Sequence, residues 1–156
     1  MAISPRPITA ADLDQIIAID KANSGQDRRH FFEKRLAAAK ARPADFVHVG
    51  VDEDKSLRGF AVAHILRGEF GQKDAVAVLD AIGVAPVNRE HGLGQVLLEM
   101  LIGAARDQGV KSIQSEVDWK NTELLRFFNA AGFELAPRLA LERAAGDLPE
   151  QIEDEP

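Results

Sequence analysis

The spacing of apolar and polar positions changes period several times along the chain, and each change marks an element. Residues 5–8 suit a short opening strand. Thr9 opens T-A-A-D, a helix start with Asp12 in its first turn, and Leu13, Ile16 and Ile17 then give one apolar face. DRRHFFEKRLAAAKA (27–41) reads as a second helix, stopped by Pro43. From there the period falls to two: in DFVHVGVDED, Val47, Val49 and Val51 share a face. DEDKS turns into a second strand, LRGFAVAHILRG (57–68). AVAVLDAIGVA (75–85) is a third, apolar almost throughout, as suits a strand covered on both faces. The clearest helix is 92–108. Leu93, Val96, Leu97, Met100, Leu101, Ala104 and Ala105 fall on one stripe, and Gly109 ends it. KSIQSEVDW (111–119), NTELLRFFNAAG (121–132) and FELAPRLALERA (133–144, broken by Pro137) predict a strand, a helix and a last strand.

Hairpins come first in this order and helix crossovers only in the second half. That predicts a mixed α/β sheet, not a doubly wound nucleotide fold. A single domain is expected over 1–145. The tail 146–156 carries Asp147, Glu150, Glu153, Asp154 and Glu155 with no basic residue, and is expected to be solvated and disordered.

Composition narrows the chemistry. The chain has 156 residues, 46% of them hydrophobic, enough for one domain with a sizeable core. It has no cysteine, which excludes a disulfide framework, a thiolate nucleophile and a cysteine-ligated metal, and fits a reducing cytoplasm. The first residues, MAISPRPITAADLDQ, do not pair a basic region with an apolar stretch, so no signal peptide is expected. No apolar run approaches the ~18–20 residues of a membrane span. The formal net charge of −6 disfavours nucleic acid and anionic membranes as partners. An anion site must then be built from a few pointed groups. His30, His48 and His64 are scattered without ligand spacing, so no metal is expected.

Such groups stand together in VLDAIGVAPVNREHGLG (78–94), where an apolar strand runs into a helix start through Arg89, His91, Gly92 and Gly94. A helix start presents N–H groups without intrahelical partners, and its dipole adds positive character. The glycines admit an anion without Cβ obstruction, and Arg89 can fork onto phosphate oxygens. The alternative is that the glycines only shape a tight join. Leu97 stands where a Rossmann fingerprint needs a small residue, and no Gly-Lys-Ser/Thr marks a P-loop.

The run V-A-P-V-N-R-E-H-G-L-G resembles the signature of the GNAT superfamily of acyl-CoA-dependent N-acyltransferases, with Arg89, Gly92 and Gly94 at matching positions. SEVDWKNTELLRFFNAAGF (115–133) resembles that family's second block through Glu116, Val117, Asn121, Gly132 and Phe133. The resemblance covers most of 4–143. It implies a GNAT-type fold, a mostly antiparallel sheet with a splayed parallel central pair flanked by helices. Strands 75–85 and 111–119 would part at a bulge at Gly83. It also implies acetyl-CoA as cosubstrate. The pyrophosphate would lie on Arg89, Glu90, His91, Gly92, Leu93 and Gly94, and the pantetheine arm along Ile82, Gly83 and Val84. Asn121, Phe127 and Phe128 would add contacts, and an N–H near Val84 would polarise the thioester. The acceptor would be the primary amine of a small molecule, a peptide N-terminus or a lysine. Its pocket would come from about 20–45 and 66–75, and residues 133–143 would offer a homodimer surface.

Individual residues sharpen these expectations. Gly83 inside an apolar strand marks a bulge, a close backbone approach or a packing need. Asp80 is a carboxylate in the same strand, so it must be paired, hydrated or functional. The resemblance puts it at the place of a general base. Glu116 and Asp118 share a strand face by the period of two, either to hold a cationic amine or as solvated strand-end charges. Trp119 walls the acceptor pocket or caps the core. The acids together favour a cationic amine or a basic peptide N-terminus. Phe128 stands where the family pattern usually has the tyrosine that protonates the leaving thiolate, and the chain has no tyrosine. That departure keeps open a second reading, a catalytically silent acyl-CoA-binding or regulatory module.

Overall fold

The computed structural model describes residues 3–68, 74–89 and 92–146. The chain divides into two compact units, Met1–Asn121 and Thr122–Pro156. The first holds β1 (Ile3–Pro7), α1 (Leu13–Ser24), α2 (Arg29–Ala41), β2 (Phe46–Glu53), β3 (Ser56–Arg67), β4 (Ala75–Val84), α3 (Leu93–Asp107) and β5 (Ser112–Ser115). The second holds α4 (Thr122–Ala130).

Strands β1 to β5 lie side by side in sequence order. The pairings β1–β2, β2–β3 and β3–β4 are antiparallel, and β4–β5 is parallel, joined by the crossover helix α3. This is the mixed, mostly antiparallel sheet that the element order predicts. Among the described residues the parallel pair stands at one end of the sheet, not at its centre.

Alternation along β3 explains how both faces are covered. A Cβ at Gly59 would touch Leu97 of α3 at 2.8 Å, so the odd positions of β3 face α3. The even positions Phe60 and Val62 lie in a cluster with Ile16, Ile17 and Ile19 of α1 and Phe32 of α2. The stripe of α3 buries Leu93, Leu97, Leu98 and Leu101 almost completely. At ~1.5–3 kcal/mol for each fully buried leucine, tertiary packing rather than helix propensity holds this helix. At the sheet edge, Arg6 forks onto Asp12 at 2.8 and 2.9 Å and donates through Nε to Asp52 at 2.7 Å. Asp12 also accepts the Thr9 N–H at 2.9 Å. The Arg6 hydrogen bonds hold the Asp12 carboxyl below its usual range.

Two expected strands are corrected. β5 ends at Ser115, so Glu116 and Asp118 lie beyond it and the period-two argument does not apply to them. Residues 133–144 form no strand, and Leu135, Leu139 and Leu141 are exposed. A side-chain pattern alone does not make a strand, because the backbone groups need a partner. Pro137 also removes a donor and divides the run. In the same unit, α4 ends as its sequence requires. Gly132 takes φ 89°, and the Phe133 N–H reaches the Phe128 carbonyl at 3.0 Å. The Phe133 ring packs 4.7 Å from that of Phe128.

Candidate active site

The parallel pairing of β4 and β5 runs from Val76 opposite Ser112 to Leu79 opposite Ser115. Beyond Leu79, β4 stays paired only with β3. The separation therefore begins at Asp80, three residues before the glycine at which it was expected. On the other side of β4, Leu79 faces Ala63 and Ala81 faces Val62, so Asp80 is the extra residue of a β-bulge. A bulge re-aims its side chain. Here it brings Asp80 Oδ2 to 2.8 Å from His64 Nδ1 on β3. Arg35 of α2 stands 3.6 Å from Asp80 Oδ1, its guanidinium 5.2 Å over the Phe31 ring.

The carboxylate can only accept, so it selects the tautomer with the proton on Nδ1 and leaves the Nε2 lone pair of the neutral ring as acceptor. Asp80 is mostly buried and His64 half-buried. His64 and Arg35 line a cavity of about 390 Å³ together with Arg42, Asp45, Phe46 and Arg67. His48, one strand further away, is a different kind of histidine. Burial pushes it down to about 4, with a smaller opposing pull from Asp80, and its Nε2 has no partner among the described residues.

Gly83 proves to be a packing residue. It lies opposite Phe60 in the register, and a Cβ there would fall 2.7 Å from that ring. The glycine is bare to admit the ring, and the bulge lies at Asp80. Val84 ends β4 next to it. The Val84 carbonyl accepts Asn23 Nδ2 at 3.0 Å, and Asn23 Oδ1 accepts from Arg89 Nη2. The end of α1 thus ties the end of β4 to the join.

The join itself is a 3-10 turn, Pro86–Asn88, with Asn88 buried and donating to Glu53 at 2.8 Å. Gly92 then caps α3 at φ 76° with no side chain capping the helix. The first backbone bond of the helix runs from Val96 N–H to the Gly92 carbonyl, so the N–H groups of Leu93, Gly94 and Gln95 have no intrahelical acceptor. A Cβ at Gly92 would meet nothing within 4 Å among the described residues. Glu90 and His91 lie outside the described residues.

The other expected residues do not converge on this place within the first unit. Asp118 shapes a turn, its Oδ1 accepting Lys120 N–H at 2.9 Å and its carbonyl accepting Asn121 N–H at 2.8 Å. Glu116 and Asn121 are exposed, and Trp119, 82% exposed, caps no core. Phe127 and Phe128 belong to the second unit, where their rings lie 5.5 Å apart and Phe128 is buried. Sequence reasoning missed His64, Arg35 and Asn23 as members of the site. No local signal marked His64, because its meeting with Asp80 depends on the β3–β4 register and the bulge.

A mostly antiparallel sheet, with one parallel pair that parts beside a glycine-led helix start, is the GNAT acyltransferase fold. The sequence pattern of the acetyltransferase (GNAT) family matches residues 13–133, and the chain belongs to that family. Solved structures agree in fold. The aminoglycoside N-acetyltransferase AAC(6')-Iy, in complex with a CoA bisubstrate analogue, superposes with a TM-score of 0.74 at 21% identity, covering 94% of this chain and 100% of that one. Glucosamine-6-phosphate N-acetyltransferase from Arabidopsis thaliana gives 0.72 at 13% identity, covering 94% and 100%. The ribosomal-protein-S18-alanine N-acetyltransferase from Escherichia coli gives 0.70 at 20% identity, covering 86% and 79%. No curated protein matches the sequence. Among the described residues no helix is long and apolar enough to cross a membrane.

Proposed function

We propose that the chain transfers an acetyl group from acetyl-CoA to a primary amine by direct attack on the thioester, with His64 as general base and Asp80 as the residue that positions it. The observation that carries this reading is the 2.8 Å contact between His64 and Asp80 at the point where β4 leaves β5. An imidazole is a better match than a carboxylate for taking a proton from an amine near neutral pH. Family membership and a solved neighbour holding a CoA analogue support the cosubstrate. The neighbours named for an aminoglycoside, an amino sugar phosphate and a ribosomal protein support an amine acceptor.

The N–H groups of Leu93 and Gly94, with Arg89, would hold the pyrophosphate, and Ile82, Gly83 and Val84 the pantetheine arm. Acetyl-CoA supplies the activated acyl group. The chain's own part is to exclude water, orient the amine, donate an N–H near Val84 to the thioester oxygen, and take the proton at His64 Nε2. One C–N bond forms, one C–S bond breaks, the amine proton passes to His64 and the thiolate is released. Phe128 cannot donate a proton, so release takes place as the anion or with a proton from water.

Thiol release from acetyl-CoA over a panel of amines tests the reading, with CoA affinity measured by calorimetry. His64→Gln and Asp80→Asn should each lower kcat by about 10²-fold, the low end for loss of a general base, with CoA affinity retained. CoA binding without turnover on any amine would move the assignment to a silent acyl-CoA-binding module, the reading that Phe128 favours.

A further inference from the structure

We propose that the amine accepted at His64 carries a carboxylate or phosphate group, received by the arginines of the cavity beside it. This rests on the acetyl-transfer reading and names its acceptor class. The chain carries a net charge of −6, yet among the described residues this cavity gathers the guanidinium groups of Arg35, Arg42 and Arg67 against the single lining carboxylate of Asp45. Counting Asp80 behind His64, three cations still face two anions among the described residues.

Only one of the three arginines is hydrogen-bonded to those anions. Arg67 is fixed, giving Nη1 to Asp45 at 3.0 Å and Nη2 to the Ala44 carbonyl at 2.9 Å. Arg42 Nε stands 3.8 Å from Asp45, and Arg35 Nη2 stands 3.6 Å from Asp80. Both distances exceed a hydrogen bond, so these forks keep donors for a ligand. Planar guanidinium groups match carboxylate and phosphate oxygens, whereas a second ammonium on the acceptor would be repelled. The volume, about 390 Å³, suits a small molecule. His64 on the cavity wall then meets the amine while Arg35 and Arg42 hold the anion. Of the acids that favoured a cationic acceptor, Asp80 faces His64 and Arg35, Asp118 shapes its turn, and Glu116 is exposed beyond the end of β5.

Matched amines test this on the full chain. β-Alanine against β-alaninamide probes carboxylate, O-phosphoethanolamine against ethanolamine probes phosphate, and 1,4-diaminobutane supplies a second cation. At least one anionic amine should exceed its neutral counterpart about tenfold in kcat/KM. Arg42→Gln, an exposed substitution, should raise that substrate's KM about tenfold with a far smaller effect on kcat, the scale of one lost charge-assisted contact. Failure of both anionic amines to exceed their neutral counterparts, or better turnover of the diamine than of either, would overturn the proposal. Calorimetry with β-alanine and O-phosphoethanolamine on the CoA-loaded chain separates it from the catalytic reading. If no amine turns over, the transfer reading fails. Binding of either anionic amine that Arg42→Gln weakens still sustains the anion site, and absent or Arg42-independent binding removes it.

Discussion

Replacing Gly83 with alanine should destabilise the fold through Phe60. An alanine Cβ would lie 2.7 Å from Phe60 Cε1, 3.0 Å from Cζ and 3.3 Å from Ile19 Cγ2. Carbon atoms pack best at about 3.5–4.0 Å, so the closest approach is short by roughly 1 Å. The ring has nowhere to go. Phe60 is fully buried and meets Phe32 edge-on at 5.5 Å, which in turn meets Phe31 at 5.0 Å. Overpacking of this kind costs about 1–3 kcal/mol. For a chain of this size each kcal/mol lowers Tm by about 2–4 °C, so the loss should be about 2–12 °C. Urea titration and thermal melting would measure it. The informative partner is Phe60→Leu, which removes the colliding ring atoms at the cost of a cavity. Gly83→Ala should then be nearly harmless in the Phe60→Leu background, with a coupling of about 1 kcal/mol or more. Wild-type stability for Gly83→Ala, or additivity of the two changes, would refute the packing explanation and return the glycine to a ligand or backbone role.

Three other outcomes are expected. His48 ordinarily titrates near 6.5 but is held at about 4 by burial, so below pH ~6.5 the unfolded chain binds the proton first. Its contribution to stability is therefore full above pH ~6.5 and falls progressively towards pH ~4, by up to about 3 kcal/mol. Urea titrations of wild type and His48→Leu at pH 7 and 4.5 should show a smaller pH loss in the variant. Arg6→Ala strips two hydrogen bonds from the buried Asp12 and one from Asp52. It should cost about 2–3 kcal/mol, discounted for the partly exposed arginine, and an unchanged urea midpoint would remove that network from the account of stability. Arg89→Ala should weaken CoA binding by about 1.5–3 kcal/mol in calorimetry, the worth of one charge-assisted contact, and unchanged affinity would take Arg89 out of the pyrophosphate site.

The elements that the sequence determined by itself are those whose signal is local. The leucine stripe of 92–108, the alternating valines at 47, 49 and 51, and the glycine that ends α4 each report a periodicity or a φ requirement within a few residues. The Arg89–Gly94 join was legible for the same reason, since a helix start and its bare N–H groups are neighbours in sequence. The tertiary structure alone decided what depends on partners. His64 and Asp80 meet only because the β3–β4 hairpin takes one register and spends one extra residue at Asp80. Neither choice is written in the side chains of either strand. Arg35 joins them from α2, and Asn23 reaches Val84 across 61 positions. The bulge expected at Gly83 and the strand expected at 133–144 failed from the same cause. A glycine in a strand and an alternating apolar run record what a segment tolerates, and only the opposing surface, Phe60 in one case and no paired strand in the other, determines what it becomes.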